Sequence, residues 1–274
     1  MPLSRLQSQI LRLLAAHRDP ESYVAGSTPL LRGALRSSDD IHIFHDREER
    51  VARAASEDTE ILQAEGLEVK WVRREPAVHT AEIRGGNERT RLEWVADSDF
   101  RFFPTVRDEL FGYVLHPIDL ATKKVMAAAG RRKPGDLVDL IPIHGQILPL
   151  GAVIWAAVEK APGFTPEGLI AEIRRNSHYR DEELRGLPTI EPINLKTFYS
   201  RLREILADAE AFVVRMPTEK AGLLFLKDGK VVQPDPGRLD EYTSHAGRRR
   251  GHWPTSTEIS MAMFEHYGKK PPNH

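Results

Sequence analysis

The chain has 274 residues, 41% of them hydrophobic, enough to bury one large core or two modest ones, which excludes disorder throughout. Lys plus Arg (39) nearly cancels Asp plus Glu (40), so the overall basic excess of a dedicated nucleic-acid coat protein is absent, while a local basic face stays open. With no cysteine, disulfides, thiolate zinc sites and a Cys nucleophile are excluded, and a reducing, cytoplasmic setting is the expectation.

Leu3, Leu6, Ile10, Leu13 and Leu14 recur at helical spacing until Pro20, which predicts an amphipathic first helix. Its apolar run is interrupted by Arg12 and is too short and too charged for a membrane span or a signal peptide. Tyr23-Val24-Ala25 reads as a short strand ending in Gly26-Ser27, followed by a helix over Pro29 to Leu35 with Pro in its first turn. Asp40 to Phe44 alternates as a strand should, and Val51 to Glu65 returns to helical spacing. Strand-like runs follow at Leu67 to Val72, Ala77 to Arg84, Thr90 to Val95 and Gly112 to Leu115, with a hairpin turn predicted at Gly85-Gly86-Asn87.

From Pro117 the periodicity is helical, over Ile118 to Ala129, Leu137 to Ile147, Gly151 to Val158, Pro166 to Arg175 and Leu195 to Val213. Leu223 to Val232 reads as a closing hairpin around Asp228-Gly229. Beyond Gln233, Pro, Gly, Arg and His dominate, which predicts a poorly packed tail with one helix over Ile259 to Tyr267. The expected fold class is α+β: a mixed sheet with helices over residues 1–115, a helical domain over 116–234, and a polar tail over 235–274.

Transferring a nucleotide from a triphosphate needs a tight turn whose backbone N–H groups reach phosphate, and carboxylates that hold a divalent metal. Gly26 permits close backbone approach and Ser27 adds a hydroxyl. Asp40 and His42, two apart on a strand, project to one face while Ile41 and Ile43 project to the other, as metal ligation would require. Glu93, between Leu92 and Trp94 on a further strand, offers a third carboxylate, either as a metal ligand or as a base for an attacking hydroxyl. Each feature taken singly has a plainer reading: an ordinary turn, a solvated strand start, an exposed Glu, a surface His.

The run Tyr23-Val24-Ala25-Gly26-Ser27, continuing at Arg36-Ser37-Ser38-Asp39-Asp40-Ile41-His42-Ile43, resembles the opening motif of the AbiEii/AbiGii-type toxin nucleotidyltransferases, a DNA polymerase β-like superfamily. A second block, His116-Pro117-Ile118-Asp119 through Lys123-Lys124-Val125 to Gly130-Arg131-Arg132-Lys133-Pro134-Gly135-Asp136-Leu137-Val138-Asp139, is similar to the later motif of that family. The resemblance covers roughly residues 20 to 160. It implies that Gly26, Ser27 and Ser38 hold an NTP, that Asp40 binds Mg²⁺, or Mn²⁺, with His42 and Glu93, that Lys124 reaches the phosphates, and that Asp139 completes the site across a cleft. Two departures stand out. His42 occupies the place of a second Asp, exchanging a hard oxygen anion for an imidazole that suits Mn²⁺ or Zn²⁺ better than Mg²⁺, and Gly135 stands where an Arg is expected.

Of Lys123 and Lys124, adjacent and therefore on different helix faces, only one enters such a cleft, and Lys124 is favoured. Asp136 has a sufficient local reason in complementing the helix dipole, whereas Asp139, further in, has less. The function implied is metal-dependent transfer of a nucleotide to a hydroxyl of RNA, such as a tRNA end, or of a protein, by the toxin half of a toxin–antitoxin pair with an antitoxin protein as partner. The alternative is a weakened member that binds nucleotide or RNA as a regulatory module. Arg131, Arg132, Lys133, Arg174, Arg175 and Arg180 are the candidate RNA contacts, with surface solvation as their competing explanation.

Overall fold

The computed structural model describes residues 3–30, 40–161, 163–189 and 192–249. The chain divides into two compact units, one formed by residues up to Asp99 together with Pro104–His116, the other by Phe100–Phe103 and the described residues from Pro117 on.

The first unit contains α1 (Arg5–Ala15), β1 (Ser22–Ala25), α2 (Ser27–Leu30), β2 (Asp40–His45), α3 (Val51–Ala64), β3 (Glu68–Glu75), β4 (Val78–Gly85), β5 (Glu88–Ala96), β6 (Val106–Asp108) and β7 (Gly112–Val114). The strands form one mixed sheet in the order β3-β4-β5-β2-β1-β7-β6, in which β2 runs parallel to β5 and β1 parallel to β7. Ser4 caps α1 by accepting from the Gln7 amide while the Gln7 side chain accepts from Ser4 N, which satisfies amides that a helix start leaves open. Leu6, Ile10 and Leu14 of α1 and Val51, Ala55 and Leu62 of α3 are buried at helical spacing.

The sheet face carrying Ile41, Ile43, Ala81, Ile83, Leu92 and Trp94 is its core face, every one of these side chains being buried. Asp58 of α3 locks this packing by accepting from Trp94 Nε1 at 2.7 Å and pairing with Arg18. Strand alternation then sends Asp40, His42 and Phe44 to the other face, where they are half-buried. The expected hairpin is present: β4 and β5 close on Gly86-Asn87. Of the helix expected over Pro29 to Leu35 only the Ser27–Leu30 turn lies within the described residues, and Ser38 lies outside them.

The second unit comprises α4 (Pro117–Gly130), α5 (Pro134–Val138), α6 (Leu140–Gln146), α7 (Leu150–Ala157), α8 (Pro166–Arg175), α9 (Asp181–Arg185), α10 (Leu195–Arg215) and a small sheet of β8 (Leu224–Lys227), β9 (Lys230–Val232) and β10 (Thr243–His245) in the order β10-β8-β9. All of α7 is buried. A single helix over Leu137 to Ile147 is not formed; α5 and α6 meet at Asp139, because Pro142 has no N–H for the Val138 carbonyl one turn earlier.

The poor packing expected beyond Gln233 is also corrected as far as Arg249: β10 pairs with β8, and buried His245 bonds the Phe102 carbonyl through Nε2 at 2.8 Å and stacks on Phe103. The helix expected over Ile259 to Tyr267 lies outside the described residues. Among the described residues no single helix is long and apolar enough to cross a membrane.

Candidate functional site

β1 ends at Ala25, which lies opposite His42 of β2, and the chain then turns at Gly26 with φ of +84°. That left-handed conformation is the reason for glycine here, since a Cβ would be strained. The close approach has a second consequence: a Cβ on Gly26 would lie 3.4 Å from His42 Nδ1. Thr28, on the turn after Ser27, donates from Oγ1 to the Asp40 carbonyl at 3.1 Å, tying the start of α2 to the start of β2.

Parallel pairing of β2 with β5 sets Asp40 against Arg91 and His42 against Glu93. His42 Nε2 donates to Glu93 Oε2 at 3.1 Å, leaving Nδ1 toward Gly26. The two side chains are 25% and 22% exposed, so the pair is open to solvent on the face opposite the core. The His42 ring stacks on Phe44 at 6.2 Å, and Phe44 in turn on Tyr23 at 6.3 Å, which fixes the imidazole plane. Gly26, Ser27, Asp40, His42 and Glu93 are therefore gathered within the first unit.

The divalent metal that the motif implies needs several oxygen ligands converging on one point. His42 and Glu93 bond each other, and among the described residues no three His, Asp or Glu side chains are grouped as metal ligands. A carboxylate cage of the kind Mg²⁺ prefers is thus not assembled by these residues.

In the second unit, Lys124 of α4 is buried, and its Nζ lies 2.7 Å from Asp136 Oδ1 and 3.0 Å from Asp139 Oδ2. Arg131 Nε donates to the other Asp136 oxygen at 2.7 Å. Burial raises the Asp136 pKa, but the Lys124 charge and the hydrogen bonds from Arg131 and Lys124 outweigh it and hold the carboxyl below its ordinary range. Lys124 and Asp139 are brought together, and Asp136, which helix-dipole reasoning alone would explain, binds the same ammonium. Arg131 was missed as its partner. The signal was available, since Arg131 follows Lys124 by seven residues and so returns to the same helix face.

The basic residues read as RNA contacts are mostly occupied. Arg132 makes a two-point bond to Glu183 at 2.8 and 2.9 Å, donates to the His178 carbonyl and lies over the Tyr179 ring. That pairing, with the Arg180 amide, pulls the Glu183 carboxyl down to about 2. Arg174 pairs with Glu210, Arg175 with Glu172 and Arg180 with Glu183.

No family model and no curated protein sequence matches this chain. Among solved structures it is similar to MenT4, a nucleotidyltransferase toxin from Mycobacterium tuberculosis H37Rv, at 16% identity and a TM-score of 0.54 over 75% of this chain and 82% of that one. An H. pylori protein assigned as a nucleotidyltransferase aligns with a TM-score of 0.47 and 14% identity over 78% of this chain and 98% of that one. The chain has the α+β nucleotidyltransferase fold.

Proposed function

We propose that this protein is a nucleotidyltransferase that moves a nucleotide from an NTP to an acceptor hydroxyl, acting in the cytoplasm as the toxin half of a toxin–antitoxin pair. One observation carries the reading: on a nucleotidyltransferase fold, the Gly26-Ser27 turn, Asp40 and the His42–Glu93 pair occupy one face of one sheet. In that reading the acceptor oxygen attacks the α-phosphorus, the bond to the β-phosphate oxygen breaks, pyrophosphate leaves, and Glu93 takes the hydroxyl proton. His42 orients the Glu93 carboxylate through the Nε2 hydrogen bond, as a second residue fixes a catalytic base elsewhere. Gly26 and Ser27 hold the phosphates, while Lys124 and Asp139, which the resemblance assigns to the nucleotide, pair with each other inside the second unit.

The His42–Glu93 bond also favours a second reading, in which the site binds NTP but turns over weakly, because His42 and Glu93 satisfy each other. One assay separates the two. The protein is incubated with labelled NTPs and total tRNA, with Mg²⁺ or Mn²⁺, and compared with Asp40→Ala and His42→Asp. Label transfer lost by at least a hundredfold in Asp40→Ala is expected for the enzyme. No transfer with either metal, and a gain in His42→Asp, identifies the weakened member; absence of NTP binding by calorimetry excludes both.

A further inference from the structure

A protein holds Mg²⁺ with carboxylate charge that its own cations leave uncompensated. The strand register allows that charge to be counted on the sheet face of Asp40 and His42. Lys70, Glu82, Arg91 and Asp40 are register partners in one row across β3, β4, β5 and β2, and Arg73, Thr80, Glu93 and His42 form the row beside it. Partners in a row lie on one face, while Ala81, Leu92 and Trp94 fill the core face. In these two rows Lys70, Arg91 and Arg73 match Glu82, Asp40 and Glu93 one for one, and His42 adds no negative charge. Adding the ion-pair partners Glu75 for Arg73 and Arg84 for Glu82, and then Glu68 and Arg89 of the next row, keeps cations and carboxylates equal.

The nearest neighbours sharpen the balance. Arg91 is the β5 partner of Asp40, so a positive charge fixed in the sheet stands beside the carboxylate that the motif would give to the ion, and it repels a dication there. Glu93 Oε2 accepts from His42 Nε2 at 3.1 Å, and His42 itself stands where the motif has its second carboxylate. Among the described residues no three His, Asp or Glu side chains are grouped as ligands.

We infer that this site takes its NTP without a divalent ion held by the protein, any ion in the reaction entering on the nucleotide's own phosphates. The inference rests on the nucleotidyltransferase reading and concerns how the same site meets the charge of its nucleotide. Glu93 then serves as a base and not as a metal ligand, and Arg91 supplies a fixed positive charge where the motif has a metal. Two substitutions should create an ion site: a carboxylate at His42, or loss of the cation at Arg91.

The test titrates NTP into the full chain by calorimetry, in EDTA and in Mg²⁺, and follows Mn²⁺, a paramagnetic stand-in for Mg²⁺, by electron paramagnetic resonance, which reports the free ion. Wild type should bind NTP in EDTA within about threefold of its affinity in Mg²⁺ and, without nucleotide, leave added Mn²⁺ free. His42→Asp should raise Mn²⁺ affinity about tenfold and Arg91→Gln about threefold, with circular dichroism checking that each is folded. Arg91→Gln keeps the test decisive where His42→Asp does not fold. If wild type holds Mn²⁺ without nucleotide, or loses more than about tenfold of its NTP affinity in EDTA, or if neither variant gains Mn²⁺, the ion-free site is wrong and the enzyme reading stands. If wild type binds NTP in neither condition, the enzyme reading falls and takes the ion-free site with it.

Discussion

His45 ends β2 on the core face, fully buried, with neither ring nitrogen hydrogen-bonded among the described residues. Burial, then the charges of Arg18 and Arg50, lower its pKa from 6.5 to about 3 against a smaller opposing pull from Asp19. Between those two values the unfolded chain binds a proton that the folded chain refuses. This contribution to stability is complete above pH 6.5 and falls on acidification, by up to about 1.4 kcal/mol per pH unit. Urea unfolding at pH 7, 6 and 5 should show wild type losing about 1 to 2 kcal/mol more than His45→Leu over that range; equal losses would mean that His45 is not the group responsible. His79 and His144 are lowered by burial as well, so the variant keeps a reduced slope in the same direction. At this scale the alternation of Asp40, His42 and Phe44 with Ile41, Ile43 and His45 was legible, because a strand's period is a local property. The bond from His42 to Glu93 was not, since it depends on which strand lies beside β2.

Gly112 shows what holds an element in place. It begins β7 at φ of +73°, and a Cβ there would lie 2.2 Å from the Ala15 carbonyl oxygen at the end of α1. Strain and overlap act together, neither relieved by a side-chain rotation, so Gly112→Ala should cost about 3 kcal/mol or more. Chemical denaturation at pH 7 measures it, and a cost under about 1 kcal/mol would show that α1 and β7 can separate locally. Long elements were readable: α3, α4 and α10 follow their apolar spacing closely. Short ones were not. β6 has three residues, too few for a period, and it forms because β7 lies beside it and Asp108 Oδ1 accepts from the Leu110 and Phe111 amides in the connecting turn. β10 was hidden in the same way, in a stretch whose polar residues describe solvent exposure and say nothing of the β8 edge.

Over the whole molecule, the chain leaves the first unit at Asp99, gives Phe100–Phe103 to the second, returns for Pro104–His116 and then departs again. Within the second unit Asp119 holds that crossing segment: its carboxylate is fully buried and accepts from the Phe102 and Phe103 amides at 2.9 and 3.0 Å and from Lys160 at 2.7 Å. Removing it strands two buried amides and one ammonium, so Asp119→Ala should destabilise the protein by about 3 to 5 kcal/mol. The variant's unfolding midpoint tests this, and an unchanged midpoint would show that the segment is held by apolar packing alone.

The sequence by itself determined the strand, Gly-Ser turn and alternating Asp40 and His42, and the helical character from Pro117 on, since periodicity and turn chemistry act within a few residues. Tertiary structure decided the partners: Glu93 for His42, both aspartates for Lys124, Glu183 and Glu210 for arginines that read as free. Those partners are set by strand register and helix packing over separations from about a dozen to fifty residues, where local pattern carries no information.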